Sequence, residues 1–131
     1  MKYIRLLILS ALLMLPALSQ AVEIEGVTLP DTIELGGKKL QLNGAGIRTK
    51  FFFDIYVGGL YLEQHASSAE AVLADIGNKR ITMDFLYGEV DQEKLTDGWN
   101  EGFEKNQSHE DMQKLQDRLT RFNALFTTAH R

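Results

Sequence analysis

Residues 43–63, NGAGIRTKFFFDIYVGGLYLE, constrain the fold of this 131-residue chain more than any other stretch. β-Branched and aromatic residues dominate it and favour a long strand over residues 49–63. Gly44 and Gly46 permit backbone conformations closed to residues with a Cβ, so they predict a corner before that strand. Arg48 follows the corner at once. We therefore expect a sheet that places one guanidinium at the mouth of an apolar cleft; the alternative is a turn and core strand with Arg48 as a solvated edge charge.

The long strand has a predicted orientation. Alternation of side chains along a strand predicts two faces, one with Phe51, Phe53, Ile55 and Val57 and the other with Phe52, Asp54 and Tyr56. The pair Gly58-Gly59 predicts either a bulge or a close approach of another part of the chain.

The first 21 residues have the features of a targeting segment. Lys2 and Arg5 precede an apolar run from Leu6 to Leu18, and Ser19-Gln20-Ala21 places small residues at the −3 and −1 positions of a cleavage site. The run is shorter than the ~20 residues of a bilayer span, and Pro16 interrupts it. We interpret residues 1–21 as a signal peptide and residues 22–131 as one domain, with an uncleaved anchor as the alternative. The processed protein is expected to be periplasmic or secreted, without a stable membrane anchor.

Composition excludes several classes of function. The chain carries 14 basic and 18 acidic residues, and cleavage after Ala21 would remove two of the basic residues and none of the acidic ones. An acidic chain without a basic patch is a poor binder of nucleic acid and is not drawn to anionic lipid. The sequence has no cysteine, which excludes thiolate catalysis and cysteine metal sites.

A strand-rich front half and a helix-rich back half predict an α+β fold. Residues 22–25 alternate as in a half-buried strand, and residues 33–42 predict a hairpin closed by Gly36-Gly37. In that register Ile33 faces Leu40 and Glu34 faces Lys39. A further strand is expected over residues 80–87.

Three helices are expected after the long strand. Ser67 with Glu70 predicts the start of a short helix that ends at Gly77. Asp91 begins the second, whose Gly98 and Gly102 would allow it to approach the sheet closely. Ser108 with Asp111 begins the third. Helical spacing continues to Phe126, and nothing beyond it is expected to return to the sheet.

Few other side chains suggest chemistry. His65, His109 and His130 lack the spacing of metal ligands, so no metal is expected. Asp91, Glu93 and Asp97 sit where a helix N-terminus favours acidic residues. Ser67 and Ser68 are interpreted as capping residues, because no histidine is placed to activate them. No cofactor is expected.

The segment VTLPDTIELGGKKLQLNGAGIRTKFFFDIYVGGLYL, with KRITMDFLYGEV and LTDGWNEGF after it, resembles the chalcone isomerase-like family, especially its exported bacterial branch. The resemblance covers residues 22–126. It implies an open-faced sandwich, in which a large antiparallel sheet is covered on one side by helices with a ligand cleft between the layers. In the family the chain continues through further strands and a helix, so we expect residues 22–131 to be an incomplete domain that can self-associate through an unpaired sheet edge.

The resemblance also implies a site. In the enzymes an arginine placed like Arg48 stabilises the oxyanion that forms as a chalcone cyclises, and non-catalytic relatives use it with a tyrosine to hold a fatty-acid carboxylate. The enzymes' threonine falls at Tyr56, and their tyrosine and asparagine fall near Asp91 and Gly98, which can do neither job. The resemblance therefore implies that Arg48 and Tyr56 bind a small amphipathic anion, with isomerase activity as one alternative and a structural role without ligand as another.

Export can be tested directly. If residues 1–21 are a signal peptide, the protein recovered from the periplasm or medium should begin at Val22, as N-terminal sequencing or intact-mass measurement will show. A protein recovered in the membrane fraction with Met1 still present would contradict this prediction.

Overall fold

The structure, a computed structural model, describes residues 21–126 and 129–130. The predicted signal peptide spans residues 1–21. Of these, only Ala21 belongs to the described part. The described elements are, in chain order, β1 (Val22–Ile24), β2 (Val27–Leu29), β3 (Thr32–Leu35), β4 (Lys38–Lys50), β5 (Phe53–Leu62), α1 (Ala69–Ala74), β6 (Lys79–Phe85), β7 (Glu89–Val90), α2 (Gln92–Asn106), α3 (His109–Asn123) and β8 (Ala129–His130). The predicted α+β fold with an antiparallel sheet is confirmed.

The main sheet has four antiparallel strands in the order β3-β4-β5-β6, and β1 pairs with β2 in a separate hairpin. The β3–β4 hairpin has the predicted register, with Ile33 opposite Leu40 and Glu34 opposite Lys39. Its turn residues Gly36 and Gly37 have φ of 59° and 75°, which glycine adopts without steric cost.

The prediction of a corner at Gly44 and Gly46 is wrong. Strand β4 runs straight through both glycines, and the chain reverses at Phe51-Phe52 instead. The irregularity lies at Asn43, where the β4–β5 register shifts between Leu42 and Gly44. The Asn43 amide bonds the backbone of Ala66 twice, donating to its oxygen at 3.0 Å and accepting from its nitrogen at 2.8 Å. The irregularity in β4 is therefore a bulge at Asn43 that its side chain holds in place, and not a corner at the glycines.

The predicted faces of the long strand are also corrected. Phe51 and Phe52 form the turn rather than part of a strand. The register then passes from the Arg48–Tyr56 pair to the Thr49–Asp54 pair and skips Ile55. Because Ile55 is an extra residue in β5, strict alternation does not hold from Phe51 to Val57.

Side chains from β2, β4 and β5 form the buried core: Leu29, Leu40, Val57, Tyr61 and Leu62. Gly59 lies inside it, and a Cβ there would lie 2.8 Å from Thr82 Oγ1 and 3.4 Å from Leu29 Cδ1. The close approach predicted at Gly58-Gly59 is confirmed, and both glycines pair with β4 in regular register without a bulge.

The helices begin close to their predicted starts. Ser108 caps α3 by accepting from the Asp111 amide, and Asp91 is the residue before α2. The cap of α1 is Ser68 rather than Ser67, because Ser68 has the extended backbone from which its hydroxyl accepts the Ala71 amide at 3.2 Å.

Aromatic contacts join α2 and α3. The ring of Trp99 lies 6.2 Å from that of Phe122 and 5.4 Å from that of Phe126, and Phe103 lies 6.0 Å from Phe122. These separations are typical of favourable aromatic pairs. The two helices therefore form one layer.

As expected, the described residues beyond Phe126 do not return to the main sheet. Strand β8 pairs antiparallel with β7 through Glu89–His130 and Val90–Ala129. A separate observation concerns the helices: within the described residues, none is long and apolar enough to cross a bilayer.

Tyr61 offers a test of this core. Its hydroxyl is buried without a hydrogen-bond partner among the described residues, and burial raises the pKa of Tyr61 above its ordinary value. Replacing Tyr61 with Phe is expected to leave the free energy of unfolding unchanged or raise it by about 1 kcal/mol, since a buried unpaired hydroxyl is costly.

The pH dependence of that variant gives a second readout. Because the raised pKa favours the protonated phenol in the fold, this contribution to stability is present below pH ~10 and is lost as the pH rises further. Urea unfolding of wild type at pH 8 and pH 10.5 should show this loss, and Tyr61→Phe should reduce it. A Tyr61→Phe variant destabilised by more than about 1 kcal/mol at pH 8 would mean that the hydroxyl is paired.

Candidate functional site

A cleft of ≈ 920 Å³ lies between one face of the main sheet and helix α2. Its walls combine aromatic and aliphatic side chains with charged groups. The sheet side contributes Arg48, Lys50, Ile55, Tyr56, Met83 and Phe85, and the helix side contributes Leu95, Gly98, Trp99, Glu101, Gly102 and Phe103. The volume lies near the upper end of the ~300–1,000 Å³ of small-molecule sites.

Arg48 and Tyr56 occupy one row of the sheet in this cleft. Arg48 on β4 is the register partner of Tyr56 on β5, which in turn pairs with Phe85 on β6. Partners in neighbouring strands project to the same face, and the Tyr56 and Phe85 rings meet edge to face at 5.7 Å. The two residues that the sequence singled out are thus brought together in one cleft wall. Whether they bind a ligand stays a prediction.

The next row on the same face has little side-chain bulk. This row lies two residues along each strand from the Arg48 row and consists of the register partners Gly46, Gly58 and Met83. A Cβ on Gly46 would meet nothing within 4 Å, so the glycine is not required there for tight packing. The sheet surface is therefore open at Gly46, whereas at Gly58 a Cβ would lie 3.4 Å from the Tyr56 ring.

Glycines widen the cleft from the helix side as well. We expected Gly98 and Gly102 to let α2 approach the sheet closely, and this expectation is wrong. A Cβ built on either glycine would meet nothing within 4 Å, so both face open space. Glycine in a helix interior costs ~1 kcal/mol relative to alanine, and here that cost accompanies a wider cleft rather than closer packing.

Charged groups of both signs line the cleft. Glu101 on α2 accepts a hydrogen bond from Lys105 at 2.5 Å, and Lys50 Nζ lies 3.9 Å from its other oxygen. The hydrogen bond from Lys105 lowers the pKa of Glu101, and the charges of Lys105, Lys50 and Arg48 lower it further. Glu101 therefore stays ionised and competes with any other anion for the field of Arg48 and Lys50.

Trp99 forms part of the apolar wall and also packs on α3. Trp99 and Phe103 are half-buried, and each lines the cleft while its ring contacts an aromatic ring of the α3 segment. The Trp99 indole nitrogen is buried without an acceptor in the described part of the chain. Buried donors are normally paired, so this wall retains one unused hydrogen-bond donor.

A second, smaller cavity lies between the two long helices. It measures ≈ 330 Å³ and is lined by Phe103, Leu115, Arg118, Leu119 and Phe122. It too combines apolar walls with one guanidinium, which makes it a useful comparison for the Arg48 cleft.

Of the remaining sequence candidates, Asp97 lines the cleft, whereas Asp91 and His109 lie outside its lining. Asp91 forms an ion pair with Lys94 at 2.9 Å, and His109 contacts Gln113 at 3.2 Å on its own helix. Within residues 21–126 and 129–130, no group of three or more His, Asp and Glu side chains could hold a metal ion. The side chain of His130 is outside the described part.

Lys50 and Glu101 are the site residues that sequence reasoning missed. A signal for Glu101 was present, because Gly98, Glu101, Gly102 and Lys105 recur at steps of three and four and so share one helix face. Lys50 carried no such signal, since its position depends on where the hairpin turns.

The open space at Gly98 and Gly102 gives a prediction that needs no ligand. Alanine at either position should raise the free energy of unfolding by about 0.5–1 kcal/mol, because the methyl group fits and helix propensity improves. Gly59→Ala is the matched control and should destabilise, since its methyl group would meet Thr82 and Leu29. Thermal or urea unfolding of the three variants decides the matter, and destabilisation by Gly98→Ala and Gly102→Ala would mean that the helix packs tightly on the sheet.

Comparison with known proteins agrees with this geometry. A family model described as chalcone isomerase-like matches residues 21–131, nearly the whole of the chain beyond the predicted signal peptide. No curated protein and no solved structure gave a match. An antiparallel sheet with helices, an arginine on the strand that lines the cleft and a family match of this extent lead to one conclusion: the chain belongs to the chalcone isomerase-like family.

Proposed function

We propose that this protein is exported and binds a small amphipathic anion, such as a fatty acid, without catalysing a reaction. The observation that supports this most directly is the pairing of Arg48 with Tyr56 in one wall of the 920 Å³ cleft. A guanidinium next to a phenol suits a carboxylate, because both donate hydrogen bonds and one carries positive charge. The apolar side chains of the same cleft suit an alkyl tail.

The walls of the cleft favour a long, narrow ligand. Gly98 and Gly102 leave open space on the α2 side of the cleft, where Trp99 and Phe103 supply apolar surface. An alkyl chain gains ~0.8 kcal/mol for each methylene group that leaves water, so the tail would supply most of the affinity and Arg48 the orientation. Lys50 adds a second positive charge beside the headgroup.

Catalysis is the less supported alternative. Near the positions where the family's enzymes place a tyrosine and an asparagine, this chain has Asp91 and Gly98. Asp91 precedes α2 and pairs with Lys94, and Gly98 offers no side chain to the cleft. Chalcone turnover above the spontaneous rate would support the enzyme, and a cleft that binds neither carboxylates nor chalcones would support a structural role.

The test compares two arginines in two cavities. Arg48→Ala should weaken binding of palmitate by roughly ten- to a hundred-fold, since a charge-assisted hydrogen bond contributes ~1.5–3 kcal/mol. Arg118→Ala removes the same group from the smaller cavity and should leave the dissociation constant within about twofold. Isothermal titration calorimetry on the processed protein measures both.

A variant that is expected to strengthen palmitate binding adds a second test. Glu101→Gln removes the carboxylate that competes for Arg48 and Lys50, so it should tighten palmitate binding while leaving the affinity for hexadecanol unchanged. Equal affinity of wild type and Arg48→Ala for palmitate would remove Arg48 from the site. Loss of binding in Arg118→Ala alone would move the ligand to the helix pair.

A further inference from the structure

The tip of the β4–β5 hairpin carries three consecutive phenylalanines that face solvent. Phe51, Phe52 and Phe53 are 85 %, 96 % and 61 % exposed. Single exposed apolar residues are ordinary on protein surfaces, but a contiguous aromatic cluster at a projecting turn is a recognition feature. Because the cluster projects from a turn, its binding partner must be a surface into which the rings can insert.

The backbone at this tip is strained. Phe51 has φ of 57°, in the left-handed region, where an aromatic side chain is an outlier. Two-residue hairpin turns ordinarily place glycine or asparagine at such a position. The tip therefore carries both a conformational cost and an exposure cost that a Gly-Ser turn would avoid, and strain of this kind concentrates at functional sites.

The surroundings of the tip match a lipid interface. Lys50 precedes the three rings and is Phe53's partner across the turn, and its side chain is 56 % exposed, with Nζ 3.9 Å from Glu101. Aromatic rings flanked by a cationic side chain that reaches back to the headgroups are the usual composition of interfacial anchors. The chain as a whole has a formal charge of −4, so attraction to an anionic surface does not drive the contact.

We propose that the Phe51–Phe52–Phe53 tip inserts into the interface of a zwitterionic phospholipid bilayer. Insertion releases apolar surface from water and holds the β4–β5 hairpin against the membrane, with Lys50 at the level of the phosphates. Arg48 lies two residues before Lys50 and both line the cleft, so insertion of the tip brings this end of the cleft near the bilayer. Transfer of a carboxylate lipid from bilayer to cleft is a consequence that rests on the proposed function, whereas insertion does not.

Vesicle partition tests the insertion. Phe51→Gly with Phe52→Ser removes two rings and relieves the positive φ, so this double variant should melt at or above the wild-type temperature. Its partition onto phosphatidylcholine vesicles in a flotation assay should fall at least tenfold. Leu73→Ser with Ile76→Ser is the matched control, because it removes two equally exposed apolar side chains elsewhere, and it should partition within twofold of wild type. All proteins are used in the processed form that begins at Val22, since an attached signal peptide would itself bind lipid.

Four outcomes would overturn the proposal. The first is equal partition of wild type and the tip variant, and the second is an equal loss of partition in the Leu73/Ile76 control. The third is binding that requires anionic lipid and disappears with salt. The fourth is a wild-type protein that is dimeric without vesicles and becomes monomeric in the tip variant. Palmitate calorimetry without vesicles separates this proposal from the previous one. The tip variant should retain wild-type affinity for palmitate, and Arg48→Ala should retain wild-type partition onto vesicles.

Discussion

One antiparallel pairing, between β4 and β5, determines the position of the other functional parts of this protein. It places Arg48 opposite Tyr56, sets Gly46 beside Gly58 on the same face, and ends in the turn that exposes the phenylalanines. Two irregularities fix its register: Asn43, bonded twice to Ala66, and Ile55, the extra residue of β5. A shift of the β4–β5 register by one residue would move Arg48 to the other face of the sheet, because side chains alternate along a strand. The cleft wall would then lose its guanidinium.

The cleft depends on side chains that are absent as much as on those that are present. Gly98 and Gly102 on α2 line the cleft and leave space that larger side chains would fill. Each glycine in a helix interior lowers the free energy of unfolding by ~1 kcal/mol relative to alanine. Two such glycines are a noticeable cost against a total free energy of unfolding of ~5–15 kcal/mol. Gly59 is the contrast, because the side chains of Thr82, Tyr61 and Leu29 leave no room there for a methyl group.

Local patterns predicted the elements that local interactions determine. The Gly36-Gly37 hairpin with its register, the start of α2 after Asp91, the cap at Ser108 and the α+β class all follow from short-range rules. The turn at Phe51-Phe52 could not be predicted, because phenylalanine in a positive-φ turn contradicts the propensities on which sequence reasoning depends. Arg48 and Tyr56 were found from their positions in a recognisable segment, whereas Lys50 and Glu101 depend on how a hairpin and a helix meet in space.

The central claim is that an amphipathic carboxylate lies between the sheet and α2 with its headgroup at Arg48. A crystal structure of the processed protein with palmitate bound tests it most directly. The account predicts carboxylate oxygens about 3 Å from the Arg48 guanidinium and the Tyr56 hydroxyl, with the alkyl chain running along Gly98 and Gly102. A palmitate held in the smaller cavity between α2 and α3, with its headgroup at Arg118 and the Arg48 cleft empty, would contradict it.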